Sequence, residues 1–402
     1  MKAVFMGMGY IGLPTAAVTA NKGMEVVGVD INPEVVETIN QGKIHIVEPD
    51  LDKLVKDVVE KKALRASLQP EEADVFLIVV PTPFKQNHRA DITYVRSATK
   101  AIIPFLKEGN LFIIESTSPV TTTEKMTEFI FKERPELKGK IYIAYCPERV
   151  LPGNVIYELE NNDRIIGGIN KESSDKAAEF YARFVKGALH KTSARTAEMC
   201  KLTENSSRDV QIAFANELSM ICKKAGINVW ELIKLANKHP RVNILQPGCG
   251  VGGHCIAVDP WFIVSDYPEQ ANIIKRARET NDYKADWCAD VVLRTCHDFE
   301  EKHGREPIVA CMGLAFKPDI DDLRESPAKY ITSRIISEAR ADVLIVEPNV
   351  RKHKSFNLVH YDEAYQHADI IVWLVCHKEF IEMVRLNNKS EKIELDFCGI
   401  YK

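Results

Sequence analysis

A strand, a Gly-x-Gly-x-x-Gly turn and a helical pattern fill the first twenty residues, and that order admits few folds. Lys2–Met6 reads as a short apolar strand and runs directly into Gly7-Met8-Gly9-Tyr10-Ile11-Gly12. The first glycine makes the tight turn and the second lets backbone meet a pyrophosphate. The third allows close packing of helix on strand. An ordinary glycine turn is the competing reading. The alternation continues, with Val26–Val29, Val75–Val80, Leu111–Glu115 and Ile141–Tyr145 as strands and Asn32–Gln41 and Leu51–Lys62 as helices. Strands this apolar, alternating with helices, imply a parallel sheet covered on both faces. Asp30 closes the second strand, where a carboxylate bonds ribose hydroxyls and repels a 2′-phosphate. NAD is therefore the expected dinucleotide, not NADP.

Beyond this region the pattern changes twice. From Thr196 to Gly226 apolar residues recur at helical spacing with no proline, which predicts one long helix. A second helix, Val229–Lys238, ends at His239-Pro240. After Pro307 strands return at Ile308–Met312, Val343–Val346, Ile370–Val375 and Ile393–Phe397. The expected fold is α/β, with two Rossmann-like doubly wound domains joined by a long central helix. The divisions fall at residues 1–195, 196–300 and 301–402, and the long helix is a candidate dimer face.

The formal net charge of −4 argues against a nucleic-acid surface. No apolar leader precedes the first strand, and no run approaches ~20 apolar residues, so neither secretion nor a membrane span is expected. The ten cysteines lack CxxC spacing, which points to small core residues kept reduced in a cytoplasmic protein rather than to a metal site.

One cysteine stands apart. Cys255 follows the glycine-dense run Gly248–Gly253, with Asp259 four residues on. Glycines let a backbone approach a ligand closely, so a thiol there is placed to attack it. A thiol beside a nicotinamide site implies oxidation through a covalent intermediate, from alcohol past aldehyde to acid. His254, its neighbour, receives no role. Lys201, Asn205 and Arg208 share a helix face, as a polar site or as a solvated stripe. Thr82 and Thr117 follow strand ends, lining a cofactor groove or capping the next helix. The run Cys146–Gly153 puts Glu148 and Arg149 at another strand end, and Gly313–Asp319 does the same for Lys317, with Arg324 beyond. Cations at a strand end can neutralise a diphosphate.

Taken together these runs resemble the nucleotide-sugar 6-dehydrogenases, the family of UDP-glucose and GDP-mannose dehydrogenases. The resemblance spans essentially the whole chain and is tightest with the branch that acts on UDP-N-acetyl-D-mannosamine. It rests on Ile46–Leu51, Cys146–Asn154, Arg195–Asn205, Ala213–Leu218, His239–Pro247, Gly250–Phe262 and Gly313–Pro327. It implies NAD contacts at Tyr10, Ile11, Asp30, Asn32, Thr82, Thr117 and Arg324, with two NAD per turnover. It implies Cys255 as nucleophile, Lys201 as catalytic lysine, and Glu148 and Asp259 as acid/base and water-positioning carboxylates. Substrate contacts fall on Arg149, Val150, Asn205, Arg208, His239, Arg241, Gly252, Phe316 and Lys317. Arg241 matches an arginine that such homodimers lend to the partner's site. The family context also implies a product used in polysaccharide biosynthesis.

Two positions depart from the pattern. Ser207 stands where an aromatic residue is usual, and Cys249 replaces a proline, which raises an oxidative Cys249–Cys255 link as an expectation. Other nucleotide sugars, a two-electron hydroxyacid dehydrogenase and a non-catalytic NAD-responsive protein are the competing functions.

Overall fold

The computed structural model describes residues 1–85, 88–150, 153–253, 255–386 and 392–402, so His254, Leu151 and Pro152 lie outside the described residues. The chain divides into two compact units, Met1–Thr203 and Glu204–Lys402.

The first unit begins β1 (Lys2–Met6), α1 (Gly12–Asn21), β2 (Glu25–Val29), α2 (Pro33–Asn40), α3 (Leu51–Glu60), β3 (Leu64–Ser67) and β4 (Val75–Ile78). It continues α4 (Thr93–Ile102), β5 (Leu111–Ile114), α5 (Thr122–Glu133), β6 (Tyr142–Tyr145), α6 (Val155–Asn161), β7 (Arg164–Gly168), α7 (Lys171–Tyr181) and β8 (Leu189–Ser193). The strands form one sheet in the order β3-β2-β1-β4-β5-β6-β7-β8. Successive strand residues point to opposite faces. Ala3 and Phe5 of β1 accordingly enter one core with Leu77 and Ile113, while Val4 and Met6 enter the other with Phe76 and Ile114. Helices cover both faces, as expected of strands with no polar side. The expectation of a parallel sheet fails at one place, because β7 runs antiparallel to β6. That reversal brings Arg164, the first residue of β7, to the carboxyl end of β6.

α8 (Ala194–Ala225) starts in the first unit and continues into the second, matching the long helix read from Thr196 to Gly226. Near its start, buried Glu198 accepts N–H bonds from Thr121 and Thr123 at 2.6 and 2.8 Å, capping α5. Thr121 sits at φ +78°, a left-handed conformation that costs a β-branched residue ~1–2 kcal/mol. The Glu198 contacts hold it there.

The second unit adds α9 (Val229–Ala236), α10 (Asp259–Asp266), α11 (Asn272–His303), β9 (Ile308–Met312), α12 (Pro327–Glu338) and β10 (Asp342–Val346). It ends α13 (Tyr361–His367), β11 (Ile370–Trp373), α14 (Lys378–Leu386) and β12 (Ile393–Asp396). Its sheet is fully parallel, in the order β10-β9-β11-β12. Val309, Cys311, Ile370 and Val372 face the core beneath α11 and α12, whereas Ala310, Met312, Ile371 and Trp373 face a second core with Phe380. Among the described residues no helix is long and apolar enough to cross a membrane.

Candidate functional site

The three glycines after β1 are required for three different reasons. Gly7 adopts φ +101°, and a Cβ there would lie 2.4 Å from the Val79 carbonyl oxygen. A Cβ on Gly12 would lie 1.9 Å from the Gly7 oxygen, so α1 could not start so close to β1. At Gly9 no atom lies within 4 Å of the Cβ position, and the residue is exposed. The space a side chain would fill is left open at the N-terminus of α1, which no described side chain caps. An open glycine backbone at an uncapped helix start suits a pyrophosphate. The cradle therefore fits a dinucleotide, and the plain glycine-turn reading is not needed.

Asp30 shapes the rim of this cradle. Its Oδ2 accepts from Met8 N at 3.0 Å and its Oδ1 from Asn32 N at 2.9 Å. Asn32 in turn caps α2 by accepting from Glu34 N at 3.0 Å. Tyr10 is half exposed and Ile11 partly buried at the helix entry. Thr82 and Thr117, past the ends of β4 and β5, cap none of the helices among the described residues. α4 has Ile92 as its N-cap and α5 has Thr121. Capping is thus removed as their explanation, and both stand partly exposed at the carboxyl edge of the sheet. Ser116 fixes that edge by bridging to Val80, whose N–H it accepts at 2.9 Å and whose carbonyl it bonds at 2.7 Å.

The second unit repeats part of this arrangement and then closes it. Gly313 follows β9 at φ +101° and donates to Val346 O at 2.9 Å, as Gly7 donates to Val29 O at 2.8 Å. Glu347 follows β10 as Asp30 follows β2, and accepts from Leu314 N, Ala315 N and Asn349 N. Unlike Asp30, Glu347 is buried, and His377 lies 3.2 Å from its carboxylate. Burial pushes its pKa up, but the His377 contact and the backbone donors outweigh that and hold it below the usual carboxylate range. A carboxylate committed in this way cannot bond a ribose, so the second unit is not a second cradle of the same kind.

Cys255 ends a loop built against the segment after β9. A Cβ on Gly252 would meet Glu325 O and Phe316 Cβ at 2.6 Å, and one on Gly253, at φ +82°, would meet the Phe316 ring at 2.9 Å. Gly253 N donates to Arg324 O at 3.1 Å. Phe316 and the Arg324 backbone are thereby packed against Gly252 and Gly253, the latter two residues before Cys255 in the chain. The Cys255 carbonyl accepts from Val258 N and Asp259 N at 3.0 and 2.8 Å, turning the chain into α10. This leaves the Cys255 side chain half-buried and buries Asp259, whose Oδ2 accepts from Asn205 Nδ2 at 2.6 Å. At the loop's other end Gly248 N donates to Asn216 Oδ1 at 2.9 Å. Asn216 is held by Asn281, and Asn281 by Asp209, which also pairs with Arg278 at 2.7 Å. This buried chain of polar groups, running from α8 to α11, fixes the thiol loop to the helical scaffold.

Cys249 behaves differently. Its Sγ lies 3.2 Å from Leu374 O, within the core beneath α11. The contact with Cys288, together with burial, raises its thiol well above the usual range, which disfavours the reactive thiolate.

Lys201 is half-buried on α8, one helical turn before Asn205. Arg208, His239, Arg241 and Lys317 are exposed. Glu148 faces inward. Its Oε1 accepts from Arg149 N and Val150 N at 2.6 and 3.1 Å, while Oε2 pairs with buried Arg164. Sequence reading missed Arg164, and also Glu115, its second partner. Charged residues at strand ends are the available signal, but only the antiparallel turn of β7 brings them together.

Three segments of the chain match the UDP-glucose/GDP-mannose dehydrogenase family. Its NAD binding domain matches over residues 1–185, its central domain over 195–283 and its UDP binding domain over 310–402. The UDP-N-acetyl-D-mannosamine dehydrogenase of Escherichia coli (strain K12) is 53% identical, covering 99% of this chain and 98% of its own. The NDP-N-acetyl-D-galactosaminuronic acid dehydrogenase of Ralstonia nicotianae is also 53% identical, covering 98% and 95%. The solved structure of UDP-D-ManNAc dehydrogenase from Pyrococcus horikoshii superposes with a TM-score of 0.89 at 38% identity, covering 100% of this chain and 96% of that one.

Proposed function

The chain belongs to the UDP-glucose/GDP-mannose dehydrogenase family, and from that membership we propose that it oxidises UDP-N-acetyl-D-mannosamine at C6 to the corresponding uronic acid. The observation that carries the reading is the half-buried Cys255 thiol, ending a glycine loop in a chain whose other glycine loop is an NAD cradle. The relatives named for UDP-N-acetyl-D-mannosamine support the choice of sugar.

NAD held at Gly7, Gly9 and Gly12 supplies the hydride acceptor, twice for each substrate molecule. Lys201 places an ammonium by the C6 oxygen and stabilises the negative charge that develops there. After the first oxidation the Cys255 thiolate adds to the aldehyde carbon. A C–S bond forms, and the carbonyl oxygen becomes the thiohemiacetal oxygen. This tether keeps the carbon in place for the second two-electron oxidation, which leaves a thioester. Water then attacks, the C–S bond breaks, the acid is released and the thiol is restored. Asp259, oriented by the Asn205 amide, positions that water. Glu148, with both oxygens engaged, acts through the turn it holds. Arg149, Val150, Arg208, His239, Gly252, Phe316 and Lys317 contact the UDP-sugar, and Arg324 contacts NAD.

A homodimer accompanies this reading. Phe214 and Ile221 on α8 and Leu235 on α9 are each more than half exposed, an apolar surface that a second copy can bury, with exposed Arg241 reaching the partner's site. A cytoplasmic location suits the NAD chemistry and the reduced cysteines.

A substrate panel tests the sugar assignment. kcat/KM for UDP-N-acetyl-D-mannosamine is expected to exceed that for UDP-glucose, UDP-N-acetylglucosamine and GDP-mannose by about tenfold or more. The Ralstonia relative supports a second reading, an N-acetylgalactosamine substrate, and a higher kcat/KM for UDP-N-acetylgalactosamine would select it.

A further inference from the structure

Arg164 is buried at the start of β7 and reaches two carboxylates. Its Nη1 lies 3.4 Å from Glu115 Oε1, one residue past β5, and its Nη2 pairs with Glu148 Oε2, three residues past β6. The guanidinium carbon lies 4.7 Å from the centroid of the Tyr181 ring. The Tyr181 hydroxyl donates to Glu115 Oε1 at 2.5 Å, and the buried Cys146 thiol completes the surroundings.

One guanidinium therefore serves two carboxylates, and the two differ. Burial pushes the Glu115 carboxyl up to about 7, against the opposing pull of Arg164, with Glu148 adding to the rise. Of the two carboxylates, Glu148 makes the closer pairing with Arg164. With Oε2 drawn inward, Glu148 Oε1 is left to accept both the Arg149 and Val150 N–H groups. Through Glu115 the same guanidinium is tied to the strand end that leads to Thr117.

We propose that Arg164 is a positioning residue for the oxidation, which holds Glu148 inward so that the Arg149–Val150 turn stays fixed against the end of β5. The inference rests on the proposed function for the role of Arg149 and Val150 as substrate contacts. The fixed turn itself does not depend on that role. Arginine is needed because its planar fork spans two carboxylates, whereas a lysine ammonium is a point charge at the end of one stem.

Hydrogen exchange and kinetics on Arg164→Lys in the full chain test this. The Arg149 and Val150 amides are expected to exchange about tenfold faster or more, while those of β5 and β7 keep their protection. The Kd for NAD stays within about twofold, and KM for UDP-N-acetyl-D-mannosamine rises by about 10–100-fold, as for loss of hydrogen bonds to a charged group. Combining it with Glu148→Gln is expected to cost no more than the worse single variant, because both act through one carboxylate. Unchanged exchange at the two amides, or losses that multiply, would overturn the proposal. Glu148→Gln, which keeps shape and loses charge, carries the same exchange measurement if Arg164→Lys does not fold. If the wild type oxidises no nucleotide sugar, the exchange result still stands, so the two readings fail separately.

Discussion

Cys255→Ser is expected to all but stop formation of the uronic acid while leaving the NAD cradle intact. A thiolate is reached near neutral pH with modest help from a nearby cation, whereas a serine hydroxyl stays protonated without a general base. The aldehyde formed by the first oxidation then has no efficient covalent partner and either dissociates or stays bound. The expected loss in the rate of acid formation is about 10³-fold or more. NAD affinity is expected to hold, because Gly7, Gly9, Gly12 and the Asp30 rim are unchanged by the substitution. Product chromatography under single-turnover conditions checks this, with at most one NADH per bound substrate and no acid. Acid produced at the wild-type rate would remove Cys255 from the mechanism.

Lys201→Ala is expected to lower kcat by about 10²–10³-fold with little change in KM, the effect of losing one preorganised contact to a developing oxyanion. Lys201 is half-buried on α8, one helical turn before Asn205. Steady-state kinetics with UDP-N-acetyl-D-mannosamine separates the roles. A rise in KM at constant kcat would make Lys201 a substrate-binding residue instead.

Features with a local cause could be read from the sequence. The roles of Gly7, Gly9 and Gly12 follow from positive φ and close approach, and the strands of the sheet interior are apolar on both faces. The course of α8 followed from uninterrupted periodicity. α11 was not legible, because Arg278, Asn281 and Lys284 occupy its buried face and break the apolar rhythm. Their partners, Asp209, Asn216 and Ser219, lie about seventy residues away on α8, and no local pattern announces such pairings. β8 escaped notice as a largely exposed edge strand, and β7 because its antiparallel course depends on its neighbours. The same long-range pairing hid Arg164. Glu347 shows a subtler limit. It occupies the place of Asp30, but only burial beside His377 distinguishes a committed carboxylate from one available at the cradle rim.

The thiol chemistry makes one claim that can be counted directly. With NAD in excess and UDP-N-acetyl-D-mannosamine limiting, two NADH are expected for every sugar consumed, with the uronic acid as the product. One NADH per sugar, with the aldehyde released, would contradict the covalent four-electron route and return Cys255 to a structural role.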